Sequence, residues 1–149
     1  MAPGLVLDAS ATLAWLIERK DPAEAQLAHE ILVFLRSCEA VVPALWFPEV
    51  TNGLLVAERR GGVDAAKSAL FMATIDEVKA SEDPVRPSVV QGAVLTLART
   101  YGLTGYDSTY MELVLRTGLK LATFDRQLAE AVRKAGGRVF GDPASSDND

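Results

Sequence analysis

"LKLATFDRQLAEAV", residues 119–132, is an apolar, strand-like run that stops on an aspartate and passes directly into a helix-like segment. The chain does nearly the same more than a hundred residues earlier: "GLVLD" runs from Gly4 to Asp8, and "SATLAWLIERK" follows it with Ser10 placed as an N-cap. Two strand–aspartate–helix junctions at opposite ends of one chain admit two explanations. Each aspartate could cap its own helix, or the two strands could deliver carboxylates to one shared pocket.

The intervening sequence favours strands separated by helices. "DP" at Asp21-Pro22 starts a helix over Ala23 to Arg36, and "EAVVP" is a short strand closed by Pro43. A helix from about Pro48 ends before Gly61-Gly62. "DAAKSALFMATIDEVKASED" reads as helix through about Ala73, then as a strand over "IDEVKA". "RPSVVQGAVLTLARTYG" is a helix closed by Gly102, and Asp107 to Gly118 is another. After the strand "LKLATF", the segment "DRQLAEAVRKAGG" is helical and "RVF" is a last short strand. This order predicts an α/β fold with a mainly parallel sheet, because each parallel step needs a crossover. In such folds, sites gather at the carboxyl ends of strands. Asp8 and Asp125 are both expected there.

Composition narrows the chemistry. The 149 residues match one domain. His29 is the only histidine and Cys38 the only cysteine, which excludes an internal disulfide and any Cys/His metal cluster. His29 lies in the helical "AQLAHEILVFL" and reads as a surface or core-edge residue, so oxygen ligands must carry any chemistry. No apolar stretch reaches bilayer-crossing length and no basic leader precedes the first strand; a cytoplasmic location is expected. The net charge of −5 argues against a polyanionic partner. Asp142, Asp147 and Asp149 nonetheless lie in the polar tail "GDPASSDND", which reads as disordered. Setting these three and four candidate pocket acids aside leaves 13 acids against 15 basic residues.

The four candidates are Asp8, Glu49, Asp107 and Asp125. Capping alone suffices for each aspartate taken singly. Glu49 stands among Leu45, Trp46, Phe47 and Val50, with Asn52 three residues on along the same helical face. Ser10 follows Asp8 by two, and Thr123 precedes Asp125 by two, on the same side of an extended strand. Capping leaves these companions unexplained. Two carboxylates about 5 Å apart repel by roughly 3 kcal/mol at an effective dielectric near 20. A helix N-terminus offsets only about 1 kcal/mol of this. Converging acids must therefore protonate or admit a cation, and all-oxygen ligands suit Mg²⁺ or Mn²⁺ with several waters retained. Such a site suits phosphodiester hydrolysis.

"LVLDAS", "PEVTNGL", "LTGYDSTYMELV" and "LKLATFDRQLAEAV", in this order, resemble the PIN-domain ribonucleases, and among them the VapC-type toxins of toxin–antitoxin pairs. The resemblance covers the chain to about Phe140, which gives a PIN-like domain over residues 1–141 and an acidic tail over 142–149. It implies a three-layer α/β/α sandwich, with Asp8 and Asp107 as main metal ligands and Glu49 and Asp125 completing the pocket. Ser10, Asn52 and Thr123 match supporting polar positions. The implied activity is Mg²⁺-dependent endonucleolytic cleavage of RNA, with an antitoxin protein as inhibitor and a homodimer as assembly. Arg19, Lys20, Arg59, Arg60, Arg116 and Arg126 form no dense cluster in sequence, and none is singled out as an RNA contact. Trp15, Trp46 and Phe47 suit either the core or an antitoxin groove.

Three other readings share parts of this pattern. An aspartate-based phosphatase also begins with strand–Asp, but requires a second acid where Ser10 stands. A receiver domain requires a late lysine where the chain reads "TFD". A non-catalytic PIN-like module that binds RNA or protein is the alternative from outside the enzymes, and loss of RNA cleavage on Asp8→Asn separates it from a nuclease.

Overall fold

The computed structural model describes residues 1–144. Four strands, β1 (Pro3–Leu7), β2 (Glu39–Val42), β3 (Ala80–Glu82) and β4 (Lys120–Ala122), form one parallel sheet in the order β3-β2-β1-β4. Seven helices surround it: α1 (Ala9–Leu13), α2 (Pro22–Phe34), α3 (Trp46–Arg59), α4 (Ala65–Glu77), α5 (Pro87–Tyr101), α6 (Gly105–Thr117) and α7 (Arg126–Lys134). The result is the expected three-layer α/β/α sandwich. Leu5, Val6 and Leu7 of β1 are all fully buried, although successive strand residues face opposite ways. That pattern requires cover on both faces, which is why "GLVL" is an unbroken apolar run.

Local chemistry sets the helix ends. Pro22 opens α2, and the Asp21 carboxylate accepts a hydrogen bond from the Ala23 N–H at 2.8 Å. Gly102 closes α5 at φ 66° and Gly118 closes α6 at φ 72°, in the left-handed region that favours glycine. The α3 helix begins at Trp46, two residues before the expected Pro48, which sits in the first turn where its missing N–H has no partner to lose.

The structure corrects three readings. The strand expected over "IDEVKA" is largely helix: α4 continues to Glu77, and β3 covers only Ala80–Glu82. Phe71, Ile75 and Val78 face the core at helical spacing, and that packing outweighs the β-branched content of the segment. The "RVF" strand is reduced to one parallel bridge between Val139 and Leu121, beyond which Phe140 packs on Phe34 with ring centroids 5.1 Å apart. Finally, "SATLAWLIERK" is helical only to Leu13 and loosens into turns to Ile17, where the Trp15 indole N–H donates to the Ala28 carbonyl at 3.0 Å. Ser10 lies inside α1; the N-cap position belongs to Asp8.

His29 is exposed on α2, as its setting suggests. Trp46 is core, its indole N–H donating to Thr12 Oγ1 at 3.0 Å, while Phe47 is 44% exposed beside it. Asp142, the first of the three tail acids, is held by Arg133 at 2.7 Å; Asp147 and Asp149 lie outside the described residues. Among the described residues, no helix is long and apolar enough to cross a membrane.

Candidate active site

Strands β1 and β4 are neighbours, with Leu7 opposite Ala122, so the residues after each strand emerge side by side. The Asp8 N–H donates to the Ala122 carbonyl at 3.0 Å and continues the ladder. Beyond it lies a cavity of about 330 Å³ lined by Asp8, Ser10, Glu49, Asn52, Asp107 and Asp125, together with Ala9, Leu13 and Gly53. Four acids from four segments of the chain thus face one space: Asp8 after β1, Glu49 and Asp107 in the first turns of α3 and α6, and Asp125 at the head of α7.

Capping explains one aspartate of three. The Asp125 carboxylate accepts from the Leu128 N–H at 3.0 Å and caps α7. Asp107 is not the cap of α6, because Thr104 Oγ1 accepts from the Asp107 N–H at 3.1 Å and fills that role. Asp8 occupies the N-cap position of α1, yet its side chain makes no capping bond. Its carboxylate is held from elsewhere: Ser10 and Thr123 both donate their hydroxyl protons to Asp8 Oδ2, each at 2.6 Å. The same hydroxyls accept in turn, Ser10 from the Phe124 N–H at 2.9 Å and Thr123 from the Asp125 N–H at 3.0 Å. Each small side chain thereby ties the backbone after β4 to the carboxylate after β1 and leaves Asp8 little freedom to turn.

Glu49 is fixed by a residue that sequence reasoning missed. The Tyr110 hydroxyl donates to Glu49 Oε1 at 2.7 Å from a side chain that is only 1% exposed. The available signal was its position in "DSTY", one helical turn after Asp107 on the same face of α6. Asn52 shares the cavity from one turn beyond Glu49.

Burial pushes the Asp8 carboxyl above its usual range against the opposing pull of the Ser10 and Thr123 hydroxyls, and the Asp125 charge adds to the rise. Glu49 is raised by burial and by the charges of Asp8 and Asp107, while the Tyr110 hydrogen bond lowers it. Asp107 is pushed up to about 6 by burial first, then by Asp125 and Asp8. Among the described residues, no three His, Cys, Asp or Glu side chains close tightly enough to enclose an ion by themselves. The acids line an open wall. A hard divalent cation that keeps several of its waters fits such a donor set: every donor is an oxygen, and positive charge offsets both the burial and the mutual repulsion that raise the carboxyls.

The raised Asp107 carboxyl, held up by burial first and by its acidic neighbours second, has a measurable consequence. A carboxyl whose folded pKa exceeds its unfolded value disfavours the fold once ionised. The cost is absent below about pH 4, grows as pH rises toward 6 and is complete above it. With discounting for a half-exposed site, it amounts to on the order of 1 kcal/mol. Asp107→Asn should therefore melt about 3 °C above the parent at pH 7.5 in EDTA, and together with it at pH 3.5. A pH-independent gap would show that the ionised Asp107 carboxylate carries no cost in the fold.

No protein-family model matches the chain. It is 32% identical over 127 residues to ribonuclease VapC3 of Pyrobaculum aerophilum, covering 85% of this chain and 92% of that protein. Its fold superposes on the crystal structure of PAE2754 from Pyrobaculum aerophilum with a TM-score of 0.64 at 31% identity, over 88% of this chain and 81% of the other. A parallel α/β/α sandwich with an acidic cavity at its strand ends defines a PIN-type domain. The chain belongs to the VapC family of PIN-domain ribonucleases.

Proposed function

We propose that the chain is a metal-dependent endoribonuclease, the toxin of a toxin–antitoxin pair, hydrolysing RNA phosphodiesters in the Asp8–Glu49–Asp107–Asp125 cavity. The observation that carries this reading is the convergence of four acids on one cavity at the carboxyl end of a parallel sheet, three of them with raised carboxyls. Membership of a ribonuclease family supports the substrate class.

In this mechanism, Asp8 and Asp107 would hold Mg²⁺, or Mn²⁺ in its place, with help from Glu49 and Asp125. Held there, such an ion would supply a more acidic water and charge neutralisation at the phosphate. The chain's own residues set the geometry. Ser10 and Thr123 fix the Asp8 carboxylate, Tyr110 fixes Glu49, and the backbone of α7 orients Asp125. A protein antitoxin as inhibitor and a homodimer as assembly complete the proposal. The dimer is supported by α5, an apolar helix with no buried residue, on which Val89 is 70% and Leu95 48% exposed.

Cleavage of an end-labelled RNA panel in Mg²⁺, Mn²⁺ or EDTA tests the reading, after denaturation and refolding to shed any bound inhibitor. The expected result is cutting that needs the metal and disappears in EDTA. RNA binding without turnover by folded, Mn²⁺-binding protein would identify a binding module instead.

A further inference from the structure

Four acids in one cavity repel the phosphates on either side of the bond to be cut, and a cation at their centre would offset this only locally, so an RNA strand needs a further hold nearby. A second cleft, of about 590 Å³, adjoins it and shares three lining residues: Ser10, Leu13 and Gly53. Its walls are apolar where Leu13, Leu16 and Ile17 line it; its rim carries Arg19 and Lys20 together with the acids Glu18, Asp21 and Glu24, so any hold on RNA there comes from the placement of Arg19 and not from a net positive charge. The α1 and α3 walls approach closely because residue 53 has no side chain; a Cβ there would fall 2.4 Å from Leu13 Cδ1.

Arg19 is set in place on two sides. Its guanidinium lies over the Phe124 ring, 4.9 Å from the centroid, and its Nε–H donates to Glu24 at 2.7 Å. Phe124 stands between Thr123 and Asp125, and its N–H is the donor to Ser10, so the platform under Arg19 belongs to the same junction that fixes Asp8. Glu24 also lies 3.8 Å from the guanidinium of Arg126, whose side chain is 93% exposed. One carboxylate thus serves two arginines beside the cavity. A stacked guanidinium next to an apolar slot suits single-stranded RNA: the plane accepts a base or, through its remaining N–H groups, a phosphate, and the slot accepts the ribose or base edge.

We propose that Arg19, seated on Phe124 and steered by Glu24, is a substrate-binding residue, and that the adjoining cleft holds the RNA nucleotide next to the scissile phosphate. The proposal rests on the acidic cavity being the cleavage site and names the contact that brings RNA to it.

The test uses the full chain and one single-stranded RNA that the parent protein cuts. Cleavage by the parent first establishes the active site, so failure there is failure of the nuclease reading and is distinct from failure at Arg19. Arg19→Ala is expected to raise KM about tenfold with a much smaller change in kcat, at an unchanged melting temperature. Fluorescence anisotropy in EDTA should show the same weakening of RNA binding, with a slope of log Kd against log salt reduced by about 0.7. Arg19→Lys should recover only part of the loss, because it keeps the charge without the stacking plane. Arg36→Ala, an exposed charge removed from α2 outside the cleft, is the matched control and should leave KM and Kd at parental values. KM, Kd and salt slope all unchanged in Arg19→Ala would overturn the proposal and leave the cleft to a polypeptide partner.

Discussion

Asp8→Asn is expected to lower metal-dependent RNA cleavage about a thousandfold, beyond the ten- to hundredfold typical of residues that only support a ligand. The substitution removes a charge and almost nothing else. Asn Oδ1 can still accept from Ser10 and Thr123, which now bond the carboxylate at 2.6 Å, and the side-chain volume is nearly the same. Asp8 is only 6% exposed and its carboxyl is already raised by burial, so loss of its charge should leave the melting temperature equal or higher in EDTA. A silent variant that melts no lower would separate chemistry from folding. Retention of a tenth or more of parental cleavage would remove Asp8 from the reaction.

The second large effect concerns Tyr110, where the core and the site are one residue. It is among the largest fully buried side chains, and its hydroxyl is also the donor to Glu49. Tyr110→Ala should cost about 3–5 kcal/mol of stability through the cavity it leaves. Tyr110→Phe keeps the ring and deletes one hydrogen bond, for about 1 kcal/mol. If the hydroxyl positions Glu49, the Phe variant should lose about tenfold in kcat and require more Mn²⁺ for half-maximal cleavage while remaining nearly as stable. Chemical denaturation beside a Mn²⁺ titration resolves the two roles. A Phe variant with parental kcat and parental Mn²⁺ dependence would leave Tyr110 a packing residue only.

The sequence conveys the parts of this fold that local physics decides. Caps, prolines and C-terminal glycines place α2, α5 and α7 closely, and the apolar run before Asp8 marks a strand covered on both faces. The readings that differ are those settled by distant contacts. The residues around Ile75 could extend or coil until Phe71 and Val78 find the core. Val139 could make a full strand, but Gly141, at φ 95°, turns the chain after Phe140. The candidate acids could be picked out because each sits at a strand–helix junction or in a polar notch. Their neighbours were harder to see: Tyr110 and Arg19 belong to helical or turn segments whose composition is ordinary, and their partners, Glu49 and Phe124, are 61 and 105 positions away.

The adjacency of β1 and β4 also governs when the site comes into being. Synthesis makes Asp8 first, yet its two hydroxyl partners include Thr123, and the strand that aligns them is the last in the sheet. Nothing local can stand in for that pairing, because it closes a loop of more than a hundred residues, an entropically slow step. A chain still emerging from the ribosome therefore carries one acid without its frame. Chains stopped before residue 119 should be inert whatever their helical content. On the proposed reading, cleavage is expected only once the final strand has docked beside the first.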